Sequence, residues 1–579
     1  MRLSDDFDVK IIVEKILESA KDEKSKNLKV NTLINDLQEE IDGKRYLLVL
    51  DDVWNDDSEK WDKLKGFLLG GARGSRILVT TREERVAKIA KTIGPYFLEG
   101  LNEEESWSLF KQMAFENGQE PENVRIKEIG MEILRKCRGI PLAIRTIGSL
   151  LYFKNSEREW SSFKDNEFSR VHQQENDILL TLKLNYDHLP SYLKQYFAYC
   201  SLFPKDYQIE KEILIKLWMA QGFIKQSRQN QCLEDIGHEY FLELVSRSFF
   251  QEVEEDKWGN ISFKIHGLMH DLLSVIAGQE NITFGINEAN IDEKTHHLSF
   301  GFHLGSSSLT TQLFQTSSLR TFLLCGQQSG EHDNGLNESN FVKIVSHFKV
   351  LRVLDFHKTG IKTVSSSISR LNHLRYLDLS DNKLIEMLPK SLSLLRNLQM
   401  LKLSGCVRLK ELPRDISKLV SLRSLEIDGC RDLTHMPCEL GQLTNLQTLS
   451  QFVTSKDTNS VSRNNSELKE LNRNGELKEL NTLNNLRGTL EIVNLRHGKD
   501  AEAESKATNL KGMEHLQGLK LRWIEDEVDM AGVVFDETPL EALQPHPNLK
   551  LLSLYRYGGV FSNLAFFAHK SRRILIIWM

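Results

Sequence analysis

The chain has 579 residues, 40% of them hydrophobic and 27% charged, a composition of several globular domains that excludes wholesale disorder. Its 75 basic and 81 acidic residues leave a formal net charge of −6, so no overall electrostatic attraction to nucleic acid or an anionic membrane is expected. Seven cysteines lie scattered from Cys137 to Cys438 without a Cys-x-x-Cys pair, which argues for a reducing compartment and against a disulfide framework or zinc knuckle. Val9 to Ala20 and Val30 to Ile41 read as helices. Tyr46 to Leu50 reads as a buried parallel strand that runs into Asp51-Asp52. Further strands are expected at Arg76 to Thr80 and near Tyr96 to Leu98, with helices between them, an alternating α/β pattern. From Asn102 to about Lys183 the apolar spacing is helical, as in Trp107, Phe110, Ala114 and Ile129, Ile133, Cys137. Helices continue from Leu184 to Thr283, with a short strand around Ile261 to Ile265. No signal segment or membrane span is read, and an intracellular, cytoplasmic location is expected.

The periodicity then changes. Leu374-x-x-Leu377-x-Leu379, Leu398-x-x-Leu401-x-Leu403 and Leu422-x-x-Leu425-x-Ile427 repeat one template at a spacing of 24 residues. Leu446-x-x-Leu449 follows, Leu351-x-x-Leu354 precedes, and weaker units stand at Leu319, Leu516 and Leu549. Asn382, Cys406 and Cys430 occupy the position that bonds inside each turn. This is the pattern of a leucine-rich-repeat solenoid. Gln451 to Ser466 reads as a polar loop, Leu468 to Asn472 recurs as Leu477 to Asn481, and the apolar tail from Ile574 reads as a truncated strand or an out-of-frame end rather than an anchor.

Asp51 and Asp52 end a strand at the edge where α/β sheets place ligands. Carboxylates there can hold the Mg²⁺ of a nucleoside triphosphate, as in a Walker B element, or simply cap a turn. The partner element, G-x-x-x-x-G-K-[ST], does not occur in these 579 residues. Gly43-Lys44 leads into the strand, and Gly70 to Gly74 lacks the Lys-Ser/Thr pair.

Lys44 to Trp54, Gly74 to Arg82, Leu101 to Phe110, Cys137-Arg138-Gly139-Ile140-Pro141-Leu142-Ala143, Cys200 to Pro204, Leu217 to Ile224 and Met269-His270-Asp271 follow one another in a familiar order. In that order they resemble plant intracellular disease-resistance proteins of the coiled-coil NB-ARC leucine-rich-repeat class. The resemblance implies a multidomain α/β architecture. Residues 1–100 would be a partial P-loop-type nucleotide-binding subdomain, 101–183 a helical ARC subdomain, 184–283 a winged-helix subdomain and 284–579 the repeats. It implies an ADP/ATP switch with Mg²⁺ and weak ATPase activity at most. Asp51 would hold Mg²⁺, Asp52 would position the attacking water, Arg82 would sense the terminal phosphate, Pro141 would pack on the base and His270 would reach the β-phosphate of ADP. On the residues alone, Arg82 with Glu83 and Glu84 beside it reads rather as a surface ion pair, and Pro141 reads also as the start of a helix. His266 and His270 have the spacing of a helical metal pair, but Gly267 stands where the glutamate of a zinc helix belongs.

Met1 to Asp8 aligns with a stretch that follows the P-loop in the family, where the P-loop strand stands between the Walker B and sensor strands, so here those two strands are expected to lack their shared neighbour and expose backbone edges. Three or four phosphate contacts at roughly 1.5–3 kcal/mol each are therefore missing from this sequence, so nucleotide binding is expected to be weak. The inward face of the repeats carries Arg375, Tyr376 and Asp378, then Gln399, Met400 and Lys402, then Arg423, Glu426 and Asp428. A mixed face of this kind suits a protein partner: a pathogen effector, a guarded host protein or the chain's own nucleotide-binding half. Two functions remain open, a disease-resistance receptor and a nucleotide-free decoy or regulator of a related receptor.

Overall fold

A computed structural model of the protein describes residues 9–21, 30–90, 93–168, 178–225, 231–256, 259–284, 291–300, 313–325, 338–455, 475–496, 505, 507–524, 543–556 and 575–578. The Met1 to Asp8 stretch, most of the Gln451 to Ser466 loop and the first copy of the Leu468 to Asn472 duplication lie outside the described residues. The chain divides into two compact units, Met1–Ala289 with Cys325–Glu331, and Asn290–Leu324 with His332–Met579.

In the first unit α1 (Val9–Lys21) and α2 (Val30–Ile41) bury Ile12, Leu17, Leu33 and Leu37 against one face of a small sheet. Strand β1 (Leu47–Leu50) pairs in parallel with β2 (Arg76–Val79), in the register Leu47 to Arg76 through Leu50 to Val79. The expectation that these two strands are left apart without a shared neighbour is therefore corrected: the acid-bearing strand and the strand leading to Arg82 pair directly. The expectation that β1 is buried on both faces is corrected too. Leu48 and Leu50 pack on the helices, whereas Leu47 and Val49 point outward and are exposed, because helices cover one face only. Asp57 caps α3 (Ser58–Phe67) by accepting from the backbone N–H of Glu59 and Lys60, and α4 (Glu84–Ala90) follows β2. No strand forms at Tyr96 to Leu98, a further correction. A strand needs a neighbour for its N–H and C=O groups, and the described sheet here has only β1 and β2.

A capping box of Asn102 and Glu105 starts α5 (Glu103–Ala114). It packs with α6 (Val124–Lys136), α7 (Pro141–Leu151) and α8 (Glu157–Ser162) around Phe110, Ile133, Ile147 and Trp160. Next come α9 (Ile178–Asp187) and α10 (Ser191–Tyr199), then β3 (Ile209–Glu210), α11 (Lys211–Gln221) and α12 (Leu233–Ser246). Strands β4 (Gln251–Glu255) and β5 (Ile261–Lys264) complete an antiparallel β3-β5-β4 sheet, and α13 (Gly267–Ala277) and β6 (Asn281–Phe284) follow. The sequence pattern revealed β5 alone. The charged Gln-Glu-Val-Glu-Glu of β4 is an edge strand with little apolar alternation to reveal it.

In the second unit β7 (His297–Phe300), β8 (Thr321–Leu324), β9 (Val353–Asp355), β10 (Tyr376–Asp378), β11 (Met400–Lys402), β12 (Ser424–Glu426) and β13 (Thr448–Leu449) pair in parallel in chain order. Tyr376, Met400, Ser424 and Thr448 are partners in register, which is the 24-residue period made physical. Leu354, Leu377, Leu401, Leu425 and Leu449 are all buried. In the turns the Asn382 side-chain amide donates to the carbonyls of Phe356 and Leu379, both at 2.8 Å. The Cys406 and Cys430 thiols donate to Leu379 and Leu403, both at 3.2 Å. A second parallel sheet contains β14 (Gln451–Val453), β15 (Gly488–Leu495), β16 (Leu516–Trp523), β17 (Leu551–Tyr555) and β18 (Leu575–Trp578). Gln451 to Val453 is thus a strand, not the start of a loop, and the apolar tail supplies the final strand.

Repeats that share each face with a neighbour resist opening better than a two-stranded sheet with one bare face. Tyr96, Phe97 and Leu98 are 88%, 70% and 89% exposed. Limited chymotrypsin digestion is therefore expected to cut first at these three residues and to leave Leu351 to Leu449 whole. Mass spectrometry of the first fragments checks this. An early fragment that keeps Tyr46 to Leu98 intact would overturn it.

Candidate functional site

The site forms where β1 ends. Thr80 closes β2 beside it: its N–H donates to the Leu50 carbonyl at 2.9 Å, and the Val53 N–H donates to the Thr80 carbonyl at 2.9 Å. The Thr80 hydroxyl donates to the Asp51 carboxylate and accepts from the Asp52 N–H at 2.9 Å. This hold fixes Asp52 in the left-handed region, with φ 52°. The Asp52 carboxylate receives the Arg82 guanidinium as a fork, Nε to Oδ1 at 3.1 Å and Nη2 to Oδ2 at 3.0 Å. Arg82 Nη1 also stands 3.7 Å from Asp271, which pairs with Lys205 Nζ at 2.8 Å. Arg82 is thus ion-paired, with Asp52 and not with the adjacent Glu83 or Glu84.

A cavity of about 280 Å³ opens beside these groups, lined by Asp51, Asp52, Thr80 and Arg82 from one side and by His266 and Gly267 among others from the winged-helix side. The α13 N-terminus comes close because residue 267 has no side chain. A Cβ there would stand 3.2 Å from Lys205 Cε and 3.3 Å from Arg82 Nη2. His266 caps α13 through Nδ1, which accepts the Leu268 N–H at 3.1 Å. This occupies one ring nitrogen, and no group of three or more His, Cys, Asp or Glu placed to hold a metal occurs among the described residues.

Of the five nucleotide-site candidates, Asp51, Asp52 and Arg82 are brought together around the cavity. His270 and Pro141 are not in its lining. His270 is buried, and its Nε2 lies 2.7 Å from the Phe203 carbonyl. A carbonyl only accepts, so Nε2 carries the proton there and the ring is used within the winged-helix segment. Pro141 is exposed at the first position of α7, where its missing N–H costs nothing. Thr80, Lys205 and Gly267 escaped sequence reasoning. Lys205 directly follows the Cys200 to Pro204 motif, which was the available signal.

The oxygens of Asp51, Asp52 and Thr80 are hard donors of the kind Mg²⁺ takes alongside nucleotide phosphates. They fit such an ion only if Asp52 gives up Arg82.

On the solenoid the expected contact residues divide. Tyr376 and Met400 are buried. Asp378 is buried as well, paired with Lys402 at 3.2 Å, and Lys402 also stands 3.9 Å from Glu426. Tyr376, Met400 and Asp378 are thereby corrected from open contact residues to internal ones, and Lys402 is half-buried and engaged between two acids, because neighbouring strands bring opposite charges into the same column. Arg375, Gln399, Arg423 and Glu426 are half-buried, and Asp428 is exposed, accepting from the Ser404 hydroxyl at 2.8 Å.

A parallel α/β fragment with an acid turn, a helical segment, a winged helix and a leucine-rich solenoid together define a multidomain α/β and leucine-rich-repeat protein. The chain belongs to the plant disease-resistance proteins of the NB-ARC leucine-rich-repeat class. Residues 1–120 match the NB-ARC domain, 202–273 the disease resistance protein winged helix domain and 336–572 a leucine-rich repeat region. Disease resistance protein RGA1 of Solanum bulbocastanum is 42% identical over 559 residues, 96% of this chain and 51% of that protein. Disease resistance protein RGA2 of the same plant is 46% identical over 301 residues, 52% of this chain and 31% of that protein. The disease resistance RPP13-like protein 1 of Arabidopsis thaliana is 33% identical over 393 residues, 67% of this chain and 37% of that protein. The chain spans about half the length of the first of these relatives or less of the others. No helix among the described residues is long and apolar enough to cross a membrane.

Proposed function

We propose that this chain serves plant disease resistance as a recognition protein whose nucleotide site is held shut by its own ion pairs. The solenoid binds a protein, a pathogen effector or a guarded host protein, through Arg375, Gln399, Arg423, Glu426 and Asp428. The acid turn is the ADP/ATP site, with Asp51 toward Mg²⁺ and Asp52 toward the attacking water. Turnover is slow at most.

The observation that carries this reading is the Arg82 fork on Asp52. The cation that would meet a terminal phosphate and the acid that would face the attacking water satisfy each other. A nucleotide must separate them before it can use either, and charge-assisted bonds of this kind contribute about 1.5–3 kcal/mol. His270, bonded to the Phe203 carbonyl, must also be released before it can reach a phosphate.

Isothermal titration of the full chain with ADP and with ATP, each with Mg²⁺, tests the nucleotide half. Binding weaker than roughly micromolar, about −8 kcal/mol, is expected. A tighter constant would show that the pocket is open to nucleotide as it stands.

A further inference from the structure

We propose that Trp54 is a positioning residue: its indole seats both Arg82 and Lys205 and so latches the acid turn after β1 to the winged-helix segment. This goes beyond the nucleotide reading and stands whatever occupies the cavity.

The Arg82 guanidinium carbon lies 4.3 Å from the Trp54 ring centroid, and Lys205 Nζ lies 4.8 Å from it. An aromatic ring attracts a cation through the negative potential of its face, and indole does so best. Two cations converge on one ring, one from the strand side and one from the winged-helix side. Each also has a carboxylate, Asp52 for Arg82 and Asp271 for Lys205, and the Arg82 to Asp271 approach at 3.7 Å crosses between the two pairs. Two positive and two negative groups thus surround one ring and balance.

Burial gives the ring its weight. The Lys205 side chain is only 8% exposed, so its amine has lost most of its water. A desolvated ammonium depends on the partners it keeps, here Asp271 and the indole. Trp54 itself is half-buried, unlike Trp61, which fills the core of this part of the chain. Its chief contribution is the face it turns to the two cations, not core volume. Gly267 supports the same geometry, because a side chain there would crowd both Lys205 and Arg82. An aliphatic side chain at position 54 would keep apolar contact with the cations' stems but would lose the attraction to their charges.

Hydrogen exchange with mass spectrometry on the full chain tests the latch in four variants: Trp54→Leu, Trp54→Phe, Lys205→Met and the Trp54→Leu/Lys205→Met double. Trp54→Leu is expected to raise exchange at least tenfold in the peptides covering Phe203 to Asp206 and His266 to Ser274. Lys211 to Gln221 should stay unchanged, and Trp54→Phe should keep most of the protection. Lys205→Met should raise exchange across the joint, in the peptide covering Asp51 to Trp54. The double variant should exceed Lys205→Met by less than twofold, since one partner is already gone. The proposal is overturned if Trp54→Leu changes exchange at Phe203 to Asp206 by less than twofold, if Trp54→Phe is as damaging as Trp54→Leu, or if the two effects multiply. If Trp54→Leu also loses protection at Lys211 to Gln221, Lys205→Met decides: unchanged exchange at Asp51 to Trp54 overturns the latch.

Discussion

The stability of the solenoid is expected to peak near pH 6.5 and to fall on both sides, through two histidines with opposite slopes. His297 in β7 is buried, with its Nδ1 2.9 Å from the Thr321 hydroxyl. Burial, and then the neighbouring charges of His296, Arg320 and Arg352, hold its pKa down at about 3. An unfolded chain takes up this proton near pH 6.5 and the folded one does not. The contribution is therefore present above pH 6.5 and is lost as pH falls toward 3. His357 is the reverse case. Burial disfavours its charge, but the Asp355 carboxylate at 2.8 Å and the Asp378 charge outweigh burial and push it up to about 9. The folded chain keeps a proton that the unfolded chain loses near pH 6.5, so this contribution is complete below pH 6.5 and is lost as pH rises through 9. At about 1.4 kcal/mol per pH unit, each limb should cost about 2 kcal/mol between pH 6.5 and either pH 5 or pH 8. Urea unfolding at the three pH values checks this. His297→Asn should flatten the acid limb and His357→Asn the alkaline one. Variants that keep the parent's slopes would show that other groups set the pH dependence.

Neither histidine was singled out by the sequence, for a physical reason that recurs along the chain. Spacing reveals which residues share a face, but not whether that face is covered. The 24-residue period gave the solenoid's register to the residue, since Tyr376, Met400 and Ser424 had to be neighbours. The same period could not say that Asp378 and Lys402 would neutralise each other inside the molecule, because that depends on how deeply the column sits. At the acid turn, Asp51 and Asp52 were legible because a strand that ends in a pair of acids is a local signal, whereas Arg82 was named only through the family resemblance. Lys205 was not, because it is 153 positions from Asp52 and reaches Trp54 and Asp271 only through the fold. Tyr96 to Leu98 shows the opposite failure: the composition is that of a strand, and no described strand lies alongside it. The order of β1 and β2 had been placed by analogy rather than by any feature of the residues, and the direct pairing replaced it.

Lys402→Met is expected to be among the most damaging single changes in the solenoid, at about 3–5 kcal/mol, although methionine matches the lysine stem in size. Lys402 lies on β11 between Asp378 on β10 and Glu426 on β12, with 14% of its side chain exposed. Burial opposes the charge on Lys402, yet the two acids outweigh it and raise its pKa. Burial likewise opposes the Asp378 carboxylate, and the charges of Lys402 and His357 outweigh it to hold its pKa low. Asp378 also accepts from the Tyr376 hydroxyl at 3.2 Å and the Ser380 N–H at 2.9 Å, while Glu426 accepts from the Ser424 hydroxyl at 3.0 Å. Removing the cation leaves two carboxylates close together with little water. One of them must take up a proton or the strands must part. Adding Asp378→Asn removes one of the stranded charges while its amide oxygen still accepts from the Ser380 N–H and its amide nitrogen can donate to the Tyr376 hydroxyl oxygen. The double variant Asp378→Asn/Lys402→Met should therefore be more stable than Lys402→Met by at least about 1 kcal/mol, whereas Asp378→Asn alone should destabilise the parent. Urea midpoints of the four proteins close this cycle. If Asp378→Asn destabilises both backgrounds by the same amount, Lys402 and Asp378 are not coupled, and the column is held by its leucines alone.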